Sequence, residues 1–236
     1  PAEARQLVEK YFGTIPRGEP VPPVRAQTPP LAAGHRQVVG DSVELPRVYL
    51  AWLTAPIFTP GDAEADVAAR LLGGGKASRL YRALVYERQI AQNVSAHQIS
   101  LTLGSVFQIV ATAKPGYTAA ELEAAIDEEL ARLAGAGPTE EETAAARALI
   151  RAQRILALES VGGFSGVANL FNLYLHHLGD SDRLAWDLDR YARVTPAGVR
   201  RFVREALHGS PRVTLHGVPG EKTIPPEPPP PASPAR

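Results

Sequence analysis

The sequence predicts an α+β fold, a mostly antiparallel sheet with a cluster of helices on one face. Three observations predict it. Strand-like runs come as neighbouring pairs, Arg36–Asp41 with Glu44–Thr54 and Ile90–Leu103 with Val106–Lys114. Helical periodicity is gathered into one long stretch between Thr118 and Leu207. A last strand, Arg212–Val218, follows those helices, so hairpins outnumber crossovers in the order β-β-α-α-β-β, helices, β.

In chain order, residues 1–15 open with a short helix, Pro1–Phe12, because proline suits a first helical turn and Gly13 a helix end. These residues are expected to be the remnant of a preceding domain. Residues 16–34, PRGEPVPPVRAQTPPLAAG, form a Pro-rich spacer. The main body is expected over residues 35–218. In its second strand Val48, Leu50 and Trp52 alternate with Tyr49, Ala51 and Leu53, a pattern that predicts burial on both faces. Asp62–Leu72 and Ala77–Arg88 read as helices around a corner, Gly73-Gly74-Gly75, that only glycines turn easily. Gly104-Ser105 suits a two-residue hairpin turn.

The helical half carries its own punctuation. Thr118 with Glu121, and Thr139 with Glu142, are capping-box signatures. Leu122, Ile126, Leu130 and Leu133 form one apolar face of the first of these helices, which Gly135 is expected to end. The second is expected to run to about Ser160, where Gly162-Gly163 breaks it. Phe164–Leu178 and Asp182–Arg193 follow, and Thr195-Pro196 opens a last helix with Val199, Phe202, Val203, Ala206 and Leu207 on one stripe. The tail, residues 219–236, contains a run of four prolines and is expected to be extended or disordered.

Composition narrows the function classes. The chain has 236 residues, 25 Lys+Arg balanced by 25 Asp+Glu, and neither Cys nor Met. A length of this order corresponds to about one or two domains and a full core. The absence of cysteine excludes disulfides, thiolate zinc sites and thiol nucleophiles. The charge balance argues against a nucleic-acid surface. The longest stretch without a formal charge, Gln89–Ala113, carries Gln92, Asn93, Ser95, His97, Gln98, Ser100 and Thr102, so it is no membrane span. The missing Met suggests a fragment or a processed product. The abundance of Ala, Arg, Gly and Pro suggests a GC-rich bacterial gene and leaves the compartment, periplasmic or cytoplasmic, open.

The chemical motifs are incomplete. Gly73–Lys76 lacks the earlier glycine of a phosphate loop, where Arg70 stands, and Ala77 replaces the hydroxyl residue that would hold magnesium. Ser165 in GGFSGV has Val167 where a nucleophile elbow needs glycine. His176 and His177 point about 100° apart on a helix, and His176 with Asp180 supplies only two ligands. No H-x-x-E-H is present. The acidic runs Asp127-Glu128-Glu129 and Glu140-Glu141-Glu142 read as a solvated face and a helix N-terminus.

One segment is more specific. LLGGGKASRLYRALVYERQIAQNVSA (Leu71–Ala96) resembles a stretch of the M16 (pitrilysin/insulinase) zinc peptidase family. KYFGTIPRG (Lys10–Gly18), Leu45–Gly75, Ala131–Gln153, Leu158–Leu170 and Arg190–Leu207 resemble further parts of the family in the same order. The resemblance implies an M16 (mitochondrial-processing-peptidase-like) domain. In that family one half binds zinc through H-x-x-E-H and a distal Glu, and a homologous half closes the chamber over peptide substrate. This chain matches the non-zinc half, so no metal, no cofactor and no catalysis are expected in it alone. Zinc is expected in a partner domain, either upstream in the same chain or in a separate active subunit. A purely structural assembly module is a further alternative. The resemblance places substrate-binding candidates at Arg79 and Tyr81. An Arg/Tyr pair that many members carry falls here on Val85 and Gln92, which have neither charge nor phenol.

Overall fold

The computed structural model describes residues 1–22, 24, 28–163 and 166–223. Its strands are β1 (His35–Asp41), β2 (Arg47–Thr54), β3 (Ala91–Ile99), β4 (Ser105–Ala113) and β5 (Val213–Pro219). They form one sheet in the order β1-β5-β2-β4-β3. The sheet is mixed: β1 and β5 run parallel, and every other neighbouring pair is antiparallel. Returning the chain to β5 after all the helices puts the last strand between β1 and β2.

The helices are α1 (Ala2–Phe12), α2 (Asp62–Gly73), α3 (Ala119–Ala136), α4 (Glu140–Ala157), α5 (Val167–Leu178), α6 (Leu184–Ala192) and α7 (Pro196–Phe202). Two wider, π-helical segments, Tyr81–Glu87 and Val203–Leu207, complete the inventory of the described residues. Both capping boxes form: Thr118 with Glu121 opens α3 and Thr139 with Glu142 opens α4. Thr195 caps α7 with Pro196 in its first turn.

Helices cover one face of the sheet. Val48, Leu50 and Trp52 of β2 and Phe107, Ile109 and Ala111 of β4 are buried there with Val67, Leu72, Leu84, Ile126 and Val199. Trp52 meets Phe107 edge-on at 6.2 Å, and Phe107 meets Phe202 at 5.9 Å. The other face is open, which corrects the expectation of two buried faces for β2. The register places Leu53, Ile99 and Val213 together on that side, and they remain 42%, 44% and 40% exposed. No described helix packs there to cover them.

Several element expectations also change. Residues 100–104 connect β3 to β4 and Ser105 already lies in β4, because the Ser105 hydroxyl accepts from Leu101 N–H and closes a longer loop than a two-residue turn. The Ala77–Arg88 segment becomes π-helical from Tyr81. Helix α3 passes Gly135 and ends at Ala136, where Gly137, at φ +77°, caps it. Helix α4 ends at Ala157, short of Ser160. Helix α5 begins at Val167, while Phe164 and Ser165 lie outside the described residues, as do residues 224–236 of the tail and Pro23, Arg25, Ala26 and Gln27 of the linker. The Asp127-Glu128-Glu129 run is no bare solvated face: Asp127 pairs with Arg212, Glu128 with Arg88 and Glu129 with Arg132.

Candidate functional site

The glycine corner and the edge of the sheet meet at one place. Gly73 ends α2 directly on the backbone of β3, and a Cβ there would fall on the Ser95–Ala96 peptide. Gly75 takes φ +118°, in the region that favours glycine, and lets the chain leave the helix. Beside this corner lies a cleft of about 690 Å³. Its walls come from the end of α2, from α4 and α5, and from Tyr191 of α6.

One side of the cleft is strand backbone. Ala96, His97 and Gln98 all line it. Consecutive strand residues point to opposite faces of a sheet, so a cleft that touches all three runs along the strand's rim. Among the described residues β3 pairs only with β4 and is the end of the sheet. Edge strands of natural proteins are commonly guarded by charge or proline. AQNVSAHQI has no Lys, Arg, Asp, Glu or Pro. A register irregularity between Ala91 and Asn93 marks where regular pairing begins. Across the cleft, Ile150, Leu170 and Leu173 supply apolar surface.

A polar hub lies beside the cleft and reaches it through Asp66, Arg154 and Tyr191. Asp62 of α2 accepts from Arg190 at 2.6 Å, from Ser100 at 2.6 Å and from the Phe58 N–H at 3.0 Å. Asp187 of α6 accepts from Tyr174 at 2.9 Å and from Arg190 at 2.8 Å. Asp66 accepts from the Tyr191 hydroxyl at 2.6 Å, and that hydroxyl accepts in turn from Arg154 at 3.0 Å. Asp62 and Asp187 thus share Arg190, while Asp66 receives its hydrogen bond from a phenol. Burial above all pushes the Asp66 carboxyl up to about 6, against the lowering effect of the Tyr191 hydrogen bond.

The residues singled out from the sequence lie around the corner. Arg79 forks onto Glu142 of α4 and also reaches the Gly137 carbonyl at 3.4 Å. Tyr81 is half-buried against the core and meets Tyr86 edge-on at 5.3 Å. Val85 packs against the core, and Gln92 is exposed at the β3 irregularity. Neither Arg79 nor Tyr81 lines the cleft. Asp66, Arg70, Arg154 and Tyr191, which do, carry no local sequence signal. They come from three helices, and only i, i+4 spacing joins the first two.

The described residues do not fit a zinc ion. No group of three or more His, Cys, Asp or Glu side chains that could hold a metal occurs among the described residues. His176 and His177 lie ring against ring near Phe58, and Asp180 pairs with Arg183.

Residues 1–150 match the family model described as the peptidase M16 inactive domain. An uncharacterized zinc protease of Streptomyces coelicolor is 26% identical over 217 residues, covering 86% of this chain and 43% of that protein. The zinc protease PqqE of Helicobacter pylori is 31% identical over 176 residues, covering 72% of this chain and 38% of that protein. The chain therefore spans less than half the length of these relatives. In fold it is similar to a protease from Helicobacter pylori, with a TM-score of 0.82 at 24% identity over 92% of this chain and 52% of that one. It is also similar to the peptidase M16 inactive domain from Pseudomonas fluorescens, with a TM-score of 0.67 at 19% identity over 95% of this chain and 52% of that one.

Proposed function

We propose, from the premise that the chain belongs to the peptidase M16 inactive-domain family, that this non-catalytic domain closes over peptide substrate and holds it while a homologous zinc-binding half cuts it. The observation that carries the reading is the cleft along the unguarded edge of β3. An extended peptide adds to such an edge as a further strand, using main-chain hydrogen bonds for affinity and the pocket walls for side chains.

Two further surfaces support the arrangement. The open apolar face of the sheet suits a partner wall rather than water. Helix α1 buries no residue; Leu7, Val8, Tyr11, Phe12 and Ile15 are all exposed. Residues 1–15 are read as a piece of the preceding domain, with residues 16–34 as the link to the body over 35–218 and the remainder as a tail. The homologous half supplies the zinc, whose chemistry is activation of water for attack on the peptide carbonyl. Arg79 and Tyr81 are assigned to shaping the wall beside the cleft, where substrate passes.

The test has two parts. The purified chain, supplied with zinc, should hydrolyse no peptide, and activity should appear only on adding the homologous zinc-binding half. Turnover by the chain alone would end the reading. In the second part, an extended fluorescent peptide should bind the chain, and the same peptide N-methylated at alternate residues should bind at least about tenfold more weakly, the loss of one or two main-chain hydrogen bonds. Equal affinities would exclude strand addition.

A further inference from the structure

Two guanidiniums reach the cleft, from Arg70 and Arg154, and they are engaged differently. Arg154 is committed to the hub: it donates to the Tyr191 hydroxyl and stands 3.9 Å from Asp187. Arg70 is not. Its Nη1 meets a neutral acceptor, the Gly74 carbonyl, at 3.3 Å. Among the described residues no carboxylate forms an ion pair with it. Asp66, one turn earlier on α2, turns to Tyr191 instead.

The glycine corner shapes this presentation. Gly74 has an ordinary helical-side φ of −80°, so backbone freedom is not what it supplies. A Cβ at residue 74 would strike the Arg70 side chain and carbonyl. Glycine there makes room for the Arg70 stem to lie across the corner with its head at the cleft.

The groups around Asp66 come from every side. Asp62 precedes it on α2, Arg154 faces it from α4, and Tyr191 and Arg190, which also holds Asp187, face it from α6. Tyr174 of α5 binds Asp187 behind them, and His97 of β3 lines the same cleft. Asp66 is the carboxylate among the described lining residues. When it is protonated, the cleft lining keeps the Arg70 guanidinium and no carboxylate charge of its own. When it is ionised, it opposes any anion placed there.

We propose that the cleft selects an extended segment bearing an acidic side chain, whose carboxylate sits on Arg70, with Asp66 as the wall charge that opposes it. This rests on the peptide-holding reading above and adds the chemistry of the residue held. A guanidinium offers a carboxylate two parallel N–H donors, which is stronger and more selective than its present bond to a carbonyl.

The experiment is fluorescence anisotropy on the full chain with three short Thr/Val-rich peptides that differ at one central residue, Glu, Gln or Lys. The Glu peptide should bind about tenfold more tightly than the Gln peptide, the scale of one charge-assisted contact. Arg70→Gln should erase that ratio, Arg70→Lys should retain part of it, and Gly74→Ala should reduce it with every charge in place. Unchanged thermal melts of the Arg70 variants separate these effects from unfolding. Asp66→Asn should tighten the Glu peptide near neutral pH and abolish its gain on acidification. A gain that survives in Asp66→Asn would overturn the assignment of Asp66. Equal binding of all three peptides, or tightest binding of the Lys peptide, would overturn the acidic preference while leaving peptide holding intact. No binding of any peptide would remove both.

Discussion

Arg79 grips Glu142 with two parallel bonds, Nε to Oε1 at 2.9 Å and Nη2 to Oε2 at 2.8 Å. The same carboxylate accepts the Thr139 N–H at 2.8 Å in the capping box of α4. One side chain therefore ties the segment after the glycine corner to the first turn of the helix that walls the cleft. Hydrogen bonds from Arg79, with help from Thr139, hold the Glu142 carboxyl below the usual carboxylate range despite burial.

Breaking that fork should loosen the wall. Arg79→Ala is expected to cost about 1–2 kcal/mol, and Arg79→Lys most of that, because an ammonium cannot reproduce the planar fork. Urea titrations of Arg79→Ala, Glu142→Ala and the double variant check this: the double should cost less than the sum of the singles. Additive losses would show that the two side chains act independently.

Asp66 should leave its mark on the pH dependence of stability. Its folded value, about 6, lies above the unfolded carboxylate value near 3.9. Between those values the folded state binds more protons than the unfolded one. Stability should therefore fall as pH rises from about 4 to about 6 and stay level above, by at most roughly 3 kcal/mol. Asp66→Asn keeps an acceptor for Tyr191, so it should stabilise the chain near neutral pH and flatten this slope. Chemical denaturation across that range measures both effects.

Glu123 should act in the opposite window. Burial pushes its carboxyl up, but hydrogen bonds from Arg36, Arg212 and His216 together outweigh it and bring it down to about 2. This carboxylate joins α3 to β1 and β5, with Arg36 at 2.6 Å, Arg212 at 2.6 Å and His216 at 2.8 Å. Its contribution is present above the unfolded carboxylate value and is lost as pH falls from about 4.5 toward 2. Glu123→Gln should cost about 1–3 kcal/mol near neutral pH, because the amide loses the charge-assisted bonds to Arg36, Arg212 and His216. A thermal-melt series that shows no loss would remove the cluster from the stability of the β1–β5 edge.

Gly73→Ala tests the contact that builds the cleft. An added methyl must displace the Ser95–Ala96 peptide of β3, so a cost of about 1–3 kcal/mol is expected. Amide exchange should quicken in β3 before it does in β4, since β3 has only one strand neighbour. Gly135→Ala, where nothing lies within reach of a Cβ, is the matched control and should be neutral or stabilising.

The chain's local chemistry was written in short-range pattern. Thr118 with Glu121 and Thr139 with Glu142 predicted two helix starts, because a capping box is completed within four residues. The apolar run Val48–Leu53 predicted a strand buried on both faces, and the Val48, Leu50 and Trp52 face is the one that is buried. The ordered resemblance from Lys10 to Leu207 marked the non-zinc M16 half, and the family match bears that out. Pairing and adjacency were decided only by the tertiary structure. Whether β2 was covered on one face or two depended on where the helices settled, which alternation alone does not say. The parallel pairing of β1 with β5 joins residues about 180 positions apart, beyond any local signal. The same holds for the cleft. Asp66, Arg154 and Tyr191 meet because α2, α4 and α6 pack around one hub, and each alone reads as an ordinary helical residue. Short-range sterics and hydrogen bonding set the elements, while burial of a shared apolar face chose their neighbours and so created the site.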